Sequence, residues 1–222
     1  MSLRVGVLHT VPALVPVFHE LLTRLRGDLD IVHAADPALL SGAVAAGGVT
    51  DEVREGLATD LAALRDAGAR TVLVTCSSIG EAAVESAGAI GIPVARVDAA
   101  MAQAAVDRAA AAGTARGGQG SILVLATLTA TLGPTTRLIE RAGVGREIAV
   151  EAVVVEGAAA ARAAGDQAGH DSLVSAAVRN ADADVIVLAQ ASMAPAAGDD
   201  IRVLTSPDSG AAAFARSLEG LG

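Results

Sequence analysis

Aromatic side chains are nearly missing from this chain. Phe18 and Phe214 stand alone, with no Trp and no Tyr, although 52% of the 222 residues are hydrophobic. The core must therefore be Ala, Val, Leu and Ile, a palette that suits a parallel sheet covered by helices on both faces. Lysine is absent, so all sixteen basic residues are Arg. That excludes Schiff-base chemistry, pyridoxal phosphate linkage and a Walker A phosphate loop, each of which needs a lysine amine. Cys76 is the only cysteine, which rules out an intramolecular disulfide. With four scattered histidines and no H-E-x-x-H pair, no zinc site is expected, and no metal or other cofactor is anticipated. Against the sixteen basic residues stand 25 acidic ones, a formal charge of −9. Without a basic cluster or a set of base-stacking aromatics, a nucleic-acid partner is excluded. The apolar opening is broken by Arg4, Pro12, Pro16, His19 and Glu20, short of the ~20 residues that span a bilayer, so no membrane partner is expected. No secretory signal is read, and the chain is expected to be cytoplasmic.

What is present is alternation. Apolar strand-like runs at 4–9, 29–34, 71–76, 93–98, 121–127, 148–154, 184–190 and 201–206 alternate with Ala-rich segments of helical period. The helices are read near 13–26, 51–67, 81–89, 99–112, 132–142, 157–164, 170–181 and 208–219. This is the pattern of βα units on a parallel sheet. The order also repeats: "RVGVLHT" matches "SILVLAT", "VLVTCSSI" matches "IVLAQASM" and "IPVARVD" matches "IRVLTSP", at offsets of 117, 114 and 109 residues. The fold class expected is α/β, with two pseudo-symmetric Rossmann-like halves, each a four-stranded, mostly parallel sheet flanked by helices. Residues 1–98 with 207–222 form the first half and 99–206 the second. Ligands of open α/β sheets bind beyond the carboxyl ends of the strands. The loops 9–12, 75–81, 126–131 and 189–195 are then expected to line a cleft between the halves. They are rich in hydroxyls and amides and poor in charge, which suits a small carboxylate. The glycine-rich "GTARGGQGS" precedes a strand rather than joining strand to helix, and is read as a hinge and not a phosphate loop.

The stretch "VTCSSIGE", supported by "VLATLT" and "VLAQASMAP", resembles the aspartate/glutamate racemase superfamily over nearly the whole chain. Members of that group include glutamate, aspartate and hydantoin racemases, maleate isomerase and arylmalonate decarboxylase. The resemblance implies cofactor-independent acid/base chemistry at the carbon next to a carboxylate. It also implies one cysteine in each half, on opposite faces of the substrate. Cys76 matches the first of these positions. The second corresponds to Gln190, and an amide cannot shuttle a proton at neutral pH. Decarboxylation, maleate-isomerase-like addition and non-catalytic binding of a small carboxylate therefore stand beside racemisation as readings.

Cys76 is the catalytic candidate. It follows a strand and precedes a helix N-terminus, which is expected to stabilise a thiolate and lower its pKa; free cysteine is otherwise a small buried hydrophobe. Ser77 and Ser78 are candidates to bind the substrate carboxylate and an enediolate-like intermediate, a task that a Thr-Ser pair performs in the decarboxylase relative. His9, Thr10, Thr127, Thr129, Gln190, Ala191 and Ser192 complete the expected substrate-binding set. Glu156 is an auxiliary acid/base candidate. His19, His33 and His170 receive no role. A small carboxylate is the expected partner, and a homo-oligomer is compatible with the sequence.

Overall fold

The structure, a computed structural model, describes residues 2–220. It contains two four-stranded sheets and not one continuous sheet, and every strand pairing in both is parallel. The first sheet runs β2 (Leu29–Ala35), β1 (Leu3–His9), β3 (Val72–Val74), β4 (Val94–Arg96). The second repeats that order with β6 (Ile148–Val154), β5 (Gly120–Ala126), β7 (Val185–Leu188) and β8 (Val203–Leu204). Register repeats as well. Seven residues of β1 pair with β2 from Leu3 opposite Leu29, and seven of β5 pair with β6 from Gly120 opposite Ile148. One compact unit takes the chain up to Val97 and resumes at Pro207; the other is Asp98–Ser206.

The helices are α1 (Val15–Leu25), α2 (Pro37–Ala46), α3 (Asp51–Asp66), α4 (Ser77–Ile90), α5 (Ala99–Arg116), α6 (Thr129–Ala142), α7 (Ala158–Ala163), α8 (Gln167–Arg179) and α9 (Ser206–Ser217). The reading from sequence contained no counterpart of α2. Its stop signals are plain: Asp36 accepts the Ala38 amide as N-cap, Pro37 opens the helix, and Gly47 closes it at φ 72°. The segment between is apolar or small on every side, so no amphipathic period marks it. Helix α4 begins four residues before the expected start. The glycine-rich 113–121 stretch is not a free hinge, since Gly113 lies inside α5 and Gly120 opens β5.

An aliphatic core follows from the strand period of two. In the second unit Ile122, Val124 and Ala126 of β5, with Val185, Val187 and Ala189, pack against Met101, Ala105, Val106 and Ala109 of α5 and Ile139 of α6. The alternate residues Leu125, Ile186 and Leu188 face Ala158 of α7 and Val174 and Val178 of α8. In the first unit Leu8, Val72 and Val74 pack with Leu57, Leu61 and Leu64 of α3 and Ile79, Ala82 and Ala83 of α4. Small residues let helix and strand backbones approach closely: a Cβ at Gly120 would lie 2.0 Å from the Ala109 carbonyl oxygen. Gly120→Ala is expected to cost about 1–3 kcal/mol by overpacking. Gly88→Ala, in α4 where a Cβ meets nothing within 4 Å, is expected to stabilise by up to about 1 kcal/mol. Denaturant titration of both variants checks the opposite signs.

Candidate active site

Strand β3 stops at Val74, although the Thr75 amide still donates to Leu8 O at 3.0 Å. The chain then turns in one residue, and Cys76 becomes the N-cap of α4 in extended conformation. This puts the thiol at the first turn of the helix, where the Ser78 and Ile79 amides act on it. Cys76 is partly buried and packs against the cluster that holds Leu8, Val74 and Ile79. Burial pushes the thiol pKa up. The Thr10 hydroxyl, the Ser78 and Ile79 amides and the Ser78 hydroxyl act in the opposite direction and do not overcome it. The expected lowering by the helix N-terminus is therefore outweighed: the thiol holds its proton more tightly than an ordinary cysteine. Ser77 and Ser78 are buried in the first turn of α4. The Thr10 hydroxyl influences Sγ, yet Thr10 Oγ1 makes no geometrically sound hydrogen bond among the described residues.

The second unit builds the same corner from different residues. Thr127 follows β5 as Thr10 follows β1, and Gln190 follows β7 as Cys76 follows β3. The Gln190 side-chain oxygen accepts the Thr127 amide at 2.6 Å and the Thr127 hydroxyl at 2.9 Å. Its acceptor is thereby occupied, and what Gln190 offers a ligand is its NH2, a donor. Ala191 and Ser192 begin a 3-10 turn, Ala191–Ala196, with Ala191 buried and the Ser192 carbonyl accepting from Arg162 at 3.3 Å. Thr129 is exposed at the first position of α6, and Glu156 is exposed in the turn between β6 and α7.

His9 is fully buried at the end of β1. Both its ring nitrogens are engaged, Nδ1 with the Thr75 hydroxyl at 3.0 Å and Nε2 with His33 Nδ1 at 3.0 Å. The other nitrogen of His33 meets His19 Nδ1 at 3.1 Å. Three histidines that were far apart in sequence thus form a continuous chain, and two of them had been given no role. His170, the fourth, is buried on α8 with Nδ1 bonded to the Asp171 carboxylate at 2.8 Å. Among the described residues no group of three or more His, Cys, Asp and Glu is placed to hold a metal ion, and no helix is long and apolar enough to cross a membrane. A cavity of about 540 Å³ lies along α2 and α3, lined by Asp36, Leu39, Thr50, Glu52 and Val53 among others; it includes none of the candidate residues. The hydrogen-bonding chemistry at the strand ends, not that cavity, marks the candidate site.

The fold defines a class: the two-sheet α/β architecture of the glutamate and aspartate racemases, shared with arylmalonate decarboxylase. No family profile matches the chain, and no curated protein matches it by sequence. Among solved structures, glutamate racemase isoform RacE1 from Bacillus anthracis is 17% identical with a TM-score of 0.71, the match covering 100% of this chain and 83% of that one. Glutamate racemase from Francisella tularensis subsp. tularensis SCHU S4, in complex with D-glutamate, is 14% identical with a TM-score of 0.67, covering 98% of this chain and 81% of the other. Arylmalonate decarboxylase is 17% identical with a TM-score of 0.54, covering 99% and 93%. At these identities the likeness is one of fold.

The buried histidine makes the fold sensitive to acid. Burial first, and the neighbouring His33 second, lower the His9 pKa from 6.5 to about 4. Between those values the unfolded chain binds a proton that the folded chain refuses, so the stabilisation is full above about 6.5 and is lost as pH falls towards 4. The effect amounts to at most about 3 kcal/mol. Hydrogen exchange at the Thr75 amide, corrected for intrinsic rate, is expected to lose protection across that window. A His9→Gln variant should show a flatter profile.

Proposed function

We propose that this protein is a racemase-superfamily enzyme that works without metal or organic cofactor, with Cys76 as the acid/base at the carbon next to a carboxylate. The observation that carries this reading is the thiol's position: two residues beyond a parallel strand, at the N-cap of a helix, with the hydroxyls of Thr10 and Ser78 and the amides of Ser78 and Ile79 acting on it. Donors of that kind stabilise negative charge that develops on a substrate carboxylate as a carbanion forms. Burial keeps the thiol protonated at neutral pH, which suits a proton donor better than a resting base. A small carboxylate substrate fits the hydroxyl- and amide-rich corners, and D-glutamate is the ligand bound by one protein of the same fold.

The direction of the chemistry turns on Gln190. In the chain's own repeat it stands where a second thiol is required for two-sided exchange, and its oxygen is held by Thr127. An amide donor binds and orients but moves no proton. The reaction is then one-sided: Cys76 delivers a proton to a prochiral carbanion, the outcome of a decarboxylase or isomerase rather than of a symmetric racemase.

A screen of small amino, hydroxy and dicarboxylic acids for solvent deuterium at Cα tests this directly. Cys76→Ser is expected to lower turnover by about 100-fold or more, since a positioned acid/base contributes about 10²–10⁴. Gln190→Cys is expected to add interconversion of enantiomers. Full activity in Cys76→Ser would reduce the thiol to packing. Equal interconversion of both enantiomers by the wild-type protein would require a second base and overturn the one-sided account.

A further inference from the structure

The three histidines are joined in a line that starts in the interior and ends in water. His9 is buried, His33 is half-buried on β2 and His19 is exposed on α1. Val7 and His33 are register partners, so His33 shares a sheet face with His9 and lies diagonally across from it. Helix α1 covers this corner, with Phe18 5.8 Å from the His9 ring and the His19 ring 5.3 Å from His33. His33 reaches one partner with Nδ1 and the other with Nε2. The nitrogens of one imidazole diverge, so the three rings cannot converge on a single cation.

The protons in this line have one consistent arrangement. The Thr75 hydroxyl donates to Leu8 O, which can only accept, at 3.2 Å. Its oxygen therefore accepts from His9 Nδ1–H. His9 Nε2 must then accept from His33 Nδ1–H, and His33 Nε2 from His19 Nδ1–H. Every donor points inward, and the one lone pair left over is His19 Nε2, on the exposed ring. The inner end, Thr75, is the residue before Cys76.

We propose that His19, His33 and His9 form a proton relay that carries one positive charge from solvent to the base of the Cys76 turn, compensating negative charge that arises there. A proton from water binds His19 Nε2; the His19 Nδ1 proton passes to His33 Nε2, and the His33 Nδ1 proton passes to His9 Nε2. The charge now rests on His9, bonded through Nδ1–H to Thr75, and the reverse sequence returns the proton to water. A second proton would put two hydrogens between one nitrogen pair, so the relay holds one. The neighbours on each packed element are consistent with a charge that is normally absent. His9 faces His33, Thr75 and Phe18; the charge acting on His33 is that of His19. Asp36, whose amide bonds His9 O, commits its carboxylate to the Ala38 amide at 2.8 Å. The relay rests on the hydrogen-bonded line itself, which ends at Thr75, the residue before Cys76, and not on the reaction proposed for the thiol.

Nitrogen-15 spectra of histidine-labelled protein test it without any activity assay. At pH 8 all three rings are expected as Nδ1–H tautomers; a His9 found as Nε2–H overturns the arrangement. In Cys76→Asp, which fixes a negative charge at the turn, the midpoint for protonation of His9 is expected to rise by about one unit over Cys76→Ala. Equal midpoints in the two overturn the coupling. Should Cys76→Asp fail to fold, His19→Gln, at an exposed position, decides: it is expected to shift the His33 midpoint by about half a unit or more, as coupled sites require, and an unmoved midpoint refutes the relay. A protein with no detectable turnover still gives each of these results.

Discussion

Parallel pairing on both sides of β1 is the constraint from which the first unit's chemistry follows. β1 lies between β2 and β3, so the residues at its carboxyl end have a neighbour on each flank. On the β3 side the Thr75 amide and hydroxyl both reach Leu8 O, which brings Cys76 and Thr10 to the same end of the sheet. On the β2 side the Val7–His33 register brings His33 to His9. A slip of one residue in either pairing would turn one of these side chains to the opposite face. The cores on either side, built almost wholly of aliphatic residues, hold that register by burying it.

At Cys76 two effects oppose each other, and their balance decides what the thiol can do. Hydrogen-bond donors at a helix start favour the thiolate, whereas removal from water favours the thiol. Here burial is the larger. At His9 nothing opposes burial, since the histidine neighbour also acts against the charged form. Burial thus disfavours the charged form of both groups. The second unit keeps the corner but fills it with Gln190 and Thr127, where Thr127 donates both hydrogen bonds to the Gln190 oxygen and neither side chain titrates near neutral pH. The repeat preserved the backbone and changed the chemistry.

Much of this was legible in the sequence, because strands buried on both faces announce themselves as continuous aliphatic runs. All eight strands fall within the stretches read as strands, or within a residue of them, and the internal repeat anticipated two sheets of equal order. Cys76 at a strand end and Gln190 at its counterpart were visible from the motif and the repeat alone. Helix α2 was not, since its apolar faces lack a period, although Asp36-Pro37 and Gly47 bound it. The early start of α4 was also hidden, because Cys76-Ser77-Ser78 reads as loop until the strand before it is seen to stop at Val74.

Residue type and local order set the alternation of strand and helix, the aliphatic core and the position of the single thiol. The packed chain set the direction of the Cys76 pKa shift, since burial belongs to the fold and no motif carries it. It also decided that Gln190 spends its oxygen on Thr127, 63 residues away. Most of all, it decided that His9, His33 and His19 touch. Their separations of 24 and 14 residues match no periodicity; parallel strand register and the seating of α1 bring the rings together, and both are consequences of the fold as a whole.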